Sequence, residues 1–230
     1  MEVDDRVRWQ FPESIEHARS IQVKLAGIVE RSGRYEKSEI HFIAGVDASI
    51  SPDKEWMIGV VSLLRWPQLT VEDVSIQTER VAFPYVPGYL SFREVPVLMK
   101  AAEQLGVIPD LTIVDGQGLA HPRRLGLACH FGLVMGWTTI GCAKSRLVGQ
   151  CSEPGEEKGA WTDCIDRGEK IARLVRTRSH VKPVWVSIGH RISLIEAQKW
   201  VLLSTSKYRL PDPVRVAHNE AAQFRRSHFA

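Results

Sequence analysis

At 230 residues, with 44% apolar and 25% charged side chains, the chain can bury one sizeable core, and a single domain over residues 1–230 is the expectation. The formal charge of +3 neither demands nor opposes a nucleic-acid partner, no apolar run is long enough to span a membrane, and residues 1–6 carry three acids and lead into no signal-peptide core. Cys129, Cys142, Cys151 and Cys164, spaced by 13, 9 and 13, fit no zinc pattern and are expected to be reduced thiols of a cytoplasmic protein.

The spacing of Ile15, Ala18, Ile21, Leu25 and Ile28 predicts an amphipathic helix over residues 11 to about 31. Three β-like runs follow, at 41–50, 56–66 and 69 to about 82. Ser51-Pro52-Asp53-Lys54 is a turn cluster, and short links of this kind predict an antiparallel meander. Residues 91–105 return to helical spacing through Val95, Leu98, Met99 and Ala102. The continuous apolar run Leu111-Thr112-Ile113-Val114 reads as a strand buried on both faces. A helix at 123–135 and a strand at 138–143 complete a parallel crossover. Beyond the polar stretch 149–159 come β-like runs at 170–177 and 183–188, then helices at 193–203 and about 213–225. The last residues, from about 223, are expected to be a flexible tail. The sum is an α/β layer fold: an antiparallel three-strand meander continued by parallel strands, with helices on both faces.

Three acids stand at special places in that order. Asp47 interrupts Ile43-Ala44-Gly45-Val46, Asp115 ends the 111–114 run, and Glu94 opens the helix after Phe92-Arg93. A carboxylate at a buried strand is costly unless compensated, and a cation is the simplest compensation; hard oxygen ligands suit Mg²⁺ or Mn²⁺. Asp115-Gly116 is also a common turn dipeptide, and Asp47 could equally be a paired core acid. Residues 116–152 hold no acid but include His121, Arg123, Arg124, His130, Lys144 and Arg146, a cationic stretch suited to phosphates. Acids and cations together point to phosphodiester chemistry.

The loop Gly116-Gln117-Gly118-Leu119-Ala120-His121 lacks the third glycine and the later acid of a dinucleotide-binding fingerprint. Cys129-His130 falls on a packed helix, where a core thiol is the better reading than a nucleophile. Phe83-Pro84-Tyr85-Val86-Pro87-Gly88-Tyr89 is a stiff aromatic loop, either a wedge for stacked bases or a strand-to-helix link in which Tyr85 caps the core.

Several blocks in order, Ala44-Gly45-Val46-Asp47, Pro84-Tyr85-Val86-Pro87-Gly88, Phe92-Arg93-Glu94, Val114 through Gly126, Ile140-Gly141-Cys142-Ala143-Lys144-Ser145 and Gly189-His190-Arg191-Ile192-Ser193, resemble the successive motifs of endonuclease V. They cover most of the chain. The resemblance implies an RNase H-like fold and repair of deaminated purines: recognition of hypoxanthine, the base of deoxyinosine, and hydrolysis of the second phosphodiester bond on its 3′ side, leaving a 3′-hydroxyl and a 5′-phosphate. It implies Mg²⁺, with Mn²⁺ as a substitute, held by Asp47, Glu94 and Asp115, and Lys144 beside the scissile phosphate. His218 falls where the family has Asp or His as an additional, water-mediated or direct, metal contact; His in place of Asp leaves one fewer negative charge there. Tyr85 matches the wedge tip. Pro84, Pro87, Gly88, Arg93, Gly116, Gly118, His121, Arg123 and Gly141 fall at the lesion and strand contacts. Gln117 stands where many relatives have His, and Cys142 where an aliphatic residue is usual. Inosine-containing DNA is the expected partner of a cytoplasmic monomer. The alternatives are an inosine-specific endoribonuclease on single-stranded RNA, a non-catalytic nucleic-acid-binding module, and a small-molecule enzyme of nucleotide metabolism.

Overall fold

A computed structural model describes residues 7–229, so the reading of residues 1–6 lies outside the described residues. The elements are α1 (Ile15–Ala26), β1 (Phe42–Ile50), β2 (Trp56–Arg65), β3 (Thr70–Arg80), α2 (Ser91–Glu103), β4 (Leu111–Val114), α3 (Leu127–Met135), β5 (Thr139–Ala143), β6 (Trp161–Asp166), β7 (Glu169–Val175), β8 (Val184–His190), α4 (Leu194–Leu203) and α5 (Asp212–His228). Among the described residues, no helix is long and apolar enough to cross a membrane.

Local chemistry sets several boundaries more tightly than periodicity did. Ser14 caps α1 by accepting from the His17 N–H, so the helix starts after residue 14 rather than at 11. α3 begins at Leu127, not 123, because Arg124 takes a left-handed φ of 59° that ends any helical path through it. Gly136, at φ 65°, terminates α3.

One eight-stranded sheet runs in the order β3-β2-β1-β4-β5-β8-β7-β6. β1, β2 and β3 form the antiparallel meander, and β1, β4 and β5 are parallel. That is the RNase H-like, mixed-sheet arrangement expected. β8, β7 and β6 then extend the far side with antiparallel pairings. Gly59 of β2 faces Val97 of α2, whereas Gly45 of β1 faces Pro213 and Val214 of α5, so helices cover both faces of the meander.

Three expectations are corrected. β6 was not anticipated: it is an edge strand on which Cys164 is the one buried residue, so it carries no apolar signature. The tail is helical as far as His228, held because Phe224 packs against the cluster of Ile58, Val60, Ala217 and Ala221 and stacks on His228. Cys151 and Cys164 form a disulfide, while Cys129 and Cys142 are free and buried. The bridge between Gln150 and Ile165 sets the two bonded cysteines side by side, a register that linear spacing does not encode.

Candidate active site

Strand register delivers the site. Asp47 lies opposite Val60, which packs against Ala217 and Ala221 of α5, so the Asp47 side chain points to the α5 face. There His218, one residue after Ala217, hydrogen-bonds it, Nδ1 to Oδ2, at 2.8 Å. The parallel partner β4 ends beside it: the Asp115 N–H donates to the Val46 carbonyl at 2.8 Å, fixing Asp115 at the carboxyl end of the strand. Ligands of open α/β sheets gather at such strand ends. Neighbouring β5 ends one residue before Lys144, whose Nζ lies 2.5 Å from Asp115 Oδ2 and 3.4 Å from His218 Nδ1. Asp47, Asp115 and His218 each offer a ligand atom within 4.8 Å of the others.

The carboxylates are under electrostatic load. Burial first, and the Asp115 charge second, push the Asp47 carboxyl up to about 6 from the ordinary 3.8, against the pull of His218 and Lys144. Asp115 Oδ2 is buried and faces the Lys144 ammonium at 2.5 Å. Two crowded carboxylates and an imidazole nitrogen converging on one point fit a divalent cation, which would offset the repulsion between the carboxylates beyond what Lys144 alone supplies.

Glu94 stands apart from that ligand cluster. It sits in the first turn of α2, where burial, then Asp47 and Asp115, raise its carboxyl to about 8. A raised carboxylate costs stability as pH climbs from its unfolded to its folded pKa, because over that window the folded state holds a proton that the unfolded chain has released, and the loss stays complete above it. For Asp47 the loss accrues as pH rises from 3.8 to about 6 and is full above that. Asp47→Asn is therefore expected to stabilise the metal-free protein by about 1–3 kcal/mol at pH 8 and by almost nothing near pH 4. Urea unfolding at both pH values in EDTA checks this; equal gains at both would refute the electrostatic cause.

Beside the acids lies a pocket of about 160 Å³ walled by Tyr85, Pro87, Gly88, Gly116, Gln117 and Leu147, among others. Tyr85 is 70% exposed, so it does not cap the core. Gly88 anchors the loop, at φ 80°: its carbonyl accepts from Gln22 Nε2 at 3.1 Å, His121 Nε2 at 3.0 Å and an Arg123 guanidinium nitrogen at 2.5 Å. Pro84 lies outside the pocket wall, and Arg93 lines a separate cavity. Gly118 and Gly141 sit beneath the pocket, where a Cβ on Gly118 would fall on the Ile188 carbonyl and one on Gly141 on the Gly118 nitrogen.

The cationic stretch does not form one phosphate-facing surface. Arg123 also reaches Gln22 and stacks 4.1 Å over the Tyr89 ring, and Arg124 is paired with Asp166 at 2.8 Å and Glu169 at 2.5 Å. Burial pushes His130 down to about 3 and His121 to about 4, so both rings are neutral. Lys144 alone of that run enters the acidic site, while Arg146 is exposed beside a different depression. Sequence reasoning missed Gln22 and Leu147. Gln22, fully buried on a helix of mixed polarity, was detectable only as a polar residue on an apolar face.

Residues 23–219 match the family model described as Endonuclease V. The chain is 42% identical to an endonuclease V from Rippkaea orientalis over 217 residues, covering 94% of each protein. Its fold matches the crystal structure of an endonuclease V from Streptomyces avermitilis with a TM-score of 0.90 and 35% identity, over 97% of this chain and 99% of that one. It also matches an endonuclease V from Ciona intestinalis at a TM-score of 0.82 and 28% identity, over 93% and 97% of the two chains; that protein was crystallised with a 23mer DNA containing an inosine followed by a ribo-adenosine.

Proposed function

The chain belongs to the endonuclease V family, and we propose that it is a Mg²⁺-dependent repair endonuclease that binds hypoxanthine and hydrolyses the second phosphodiester bond 3′ to it. The products carry a 3′-hydroxyl and a 5′-phosphate, and the enzyme acts as a cytoplasmic monomer. The observation that carries the reading is the convergence of Asp47, Asp115 and His218 within 4.8 Å of one another, with Lys144 among them.

Asp47 and Asp115 would hold the ion, with His218 beside them and Glu94 acting through water. A divalent ion held there would supply the charge that acidifies a water and offsets the departing oxygen. Everything else falls to side chains of this protein. The Lys144 ammonium neutralises a phosphate oxygen and draws the scissile group against the acids. His218 orients Asp47 through their hydrogen bond. The Tyr85 ring occupies the gap left in the stack when the base enters the pocket, and Gly116 lets backbone approach the base edge.

The test is a strand carrying one inosine, as DNA and as RNA, incubated with Mg²⁺ or with EDTA. Cutting at inosine in Mg²⁺ alone is the expected result, with Tyr85→Ala about tenfold weaker in binding. The ribo-adenosine in the Ciona complex makes RNA the second reading, and faster cutting of the RNA strand would select it. Cleavage indifferent to inosine, or undiminished in EDTA, would overturn the proposal.

A further inference from the structure

A lysine ammonium is a point charge on a flexible four-carbon stem, so its place depends on what holds its main chain. The Lys144 side chain is 37% exposed, and packing does not fix it. Strand pairing does not fix it either: Lys144 lies one residue past the end of β5, beyond the last register pair of β5 with β8, Ala143 with Trp185. Two side chains take over. Arg209 Nη2 donates to the Lys144 carbonyl and to the Pro183 carbonyl, both at 2.8 Å, and so spans the parting ends of β5 and β8. Gln117 Nε2 donates to the Ser145 carbonyl at 2.8 Å. Among the described residues, no main-chain N–H reaches the Lys144 or the Ser145 carbonyl.

We infer that Arg209 is a positioning residue for Lys144: with Gln117 it clamps residues 144–145 and so aims the ammonium at the acids and the scissile phosphate. The inference rests on the proposed function, in which Lys144 neutralises a phosphate oxygen. Arg209 lines neither the base pocket nor the acidic cleft, so it acts through Lys144 and not on the strand. Its Nε is buried without a hydrogen-bond partner, a cost that the two carbonyl bonds of Nη2 have to offset. The guanidinium works from a fixed base, because the buried Thr177 donates its hydroxyl to the Arg209 carbonyl at 2.5 Å. The clamp also ties Lys144 to its neighbours in the site. Arg209 stands just before α5, the helix that brings His218 Nδ1 to 3.4 Å from the Lys144 ammonium. Gln117 follows Asp115 by two residues, and Asp115 Oδ2 is the atom 2.5 Å from that ammonium. Both references are main-chain tethers at the base of the stem, which is where a flexible side chain has to be held if its tip is to find one place.

A double-mutant cycle on a single-inosine strand in Mg²⁺ tests the clamp, with kcat and KM measured for the parent, Arg209→Met, Lys144→Ala and the double variant. Arg209→Met keeps the apolar stem and removes every donor. It is expected to lower kcat about tenfold with KM within about twofold of the parent. In the Lys144→Ala background the same change is expected to cost less than about twofold, because the residue being positioned is gone. Arg209→Lys keeps the charge on a shorter stem without the planar fork, and carries the same cycle if the methionine variant does not fold. An equal fall in kcat with and without Lys144, a fall confined to KM, or no fall at all overturns the positioning role and leaves the function standing. A parent that does not cut at inosine, or a Lys144→Ala protein as active as the parent, overturns the functional reading instead and the inference with it.

Discussion

Asp115→Ala is expected to lower cleavage of an inosine strand on the order of 10³-fold or more while leaving the metal-free protein folded. The strand end explains both halves. β4 is buried throughout, and its register is fixed by main-chain bonds, including the Asp115 N–H to the Val46 carbonyl, which the substitution keeps. What is lost is the buried carboxylate and, with it, the ion pair to Lys144 at 2.5 Å. Its negative charge also raises Asp47 and Glu94, so removing it relaxes both in the absence of metal. The variant should therefore unfold in EDTA at or above the parent's midpoint, and Mg²⁺ should no longer raise that midpoint, because binding to the folded state alone is what links ion and stability. Single-turnover cleavage and thermal unfolding, each with and without Mg²⁺, measure the two effects. Activity within tenfold of the parent would remove Asp115 from the reaction. Loss of activity with a collapsed midpoint in EDTA would make the residue structural instead.

How much of this was legible in the sequence depended on how local the cause was. Asp115 could be singled out because the short β-like run Leu111-Thr112-Ile113-Val114 ends on it, and Asp47 because it breaks an apolar strand; each anomaly sits within a few residues of its explanation. The meander was readable for the same reason, since Ser51-Pro52-Asp53-Lys54 joins neighbours in the chain. His218 was not. Its meeting with Asp47 spans 171 positions and follows from the approach of α5 to β1, so only the family resemblance pointed to it. The basic run misled because one-dimensional charge omits partners: Asp166 and Glu169, which hold Arg124, lie on or beside a hairpin more than 40 residues away. β6 escaped because an edge strand with one buried side chain has no period to detect, and the Cys151–Cys164 bond escaped with it.

Gly45→Ala is expected to destabilise the protein by about 3 kcal/mol or more and to reduce cleavage in whatever fraction stays folded. The residue has no side chain to take part in chemistry, which makes the expectation a test of how the site is assembled. A Cβ at position 45 would lie inside the main chain of Pro213 and Val214, where no rotamer change can relieve it. Ser62, opposite Gly45 on β2, donates its hydroxyl to the Pro213 carbonyl at 2.8 Å, and that bond closes the same contact from the other side. Relief requires the first turn of α5 to move off the sheet. That turn carries the helix whose next turn presents His218 to Asp47, so the displacement reaches the acids without touching them. Gly59→Ala is the natural comparison: its Cβ would meet Val97 on the opposite face, with the nearest atom at 2.8 Å, and α2 rather than α5 would have to yield. Urea unfolding should rank Gly45→Ala as the more damaging of the two. Cleavage measured well below either midpoint should fall for both variants, with the loss in kcat, because α5 carries His218 and α2 carries Glu94; the larger clash at Gly45 makes the larger loss the expected one there. Equal stability of Gly45→Ala and parent to within 1 kcal/mol would mean that α5 sits farther from β1 than this packing requires, and that His218 owes its place to something other than a missing side chain.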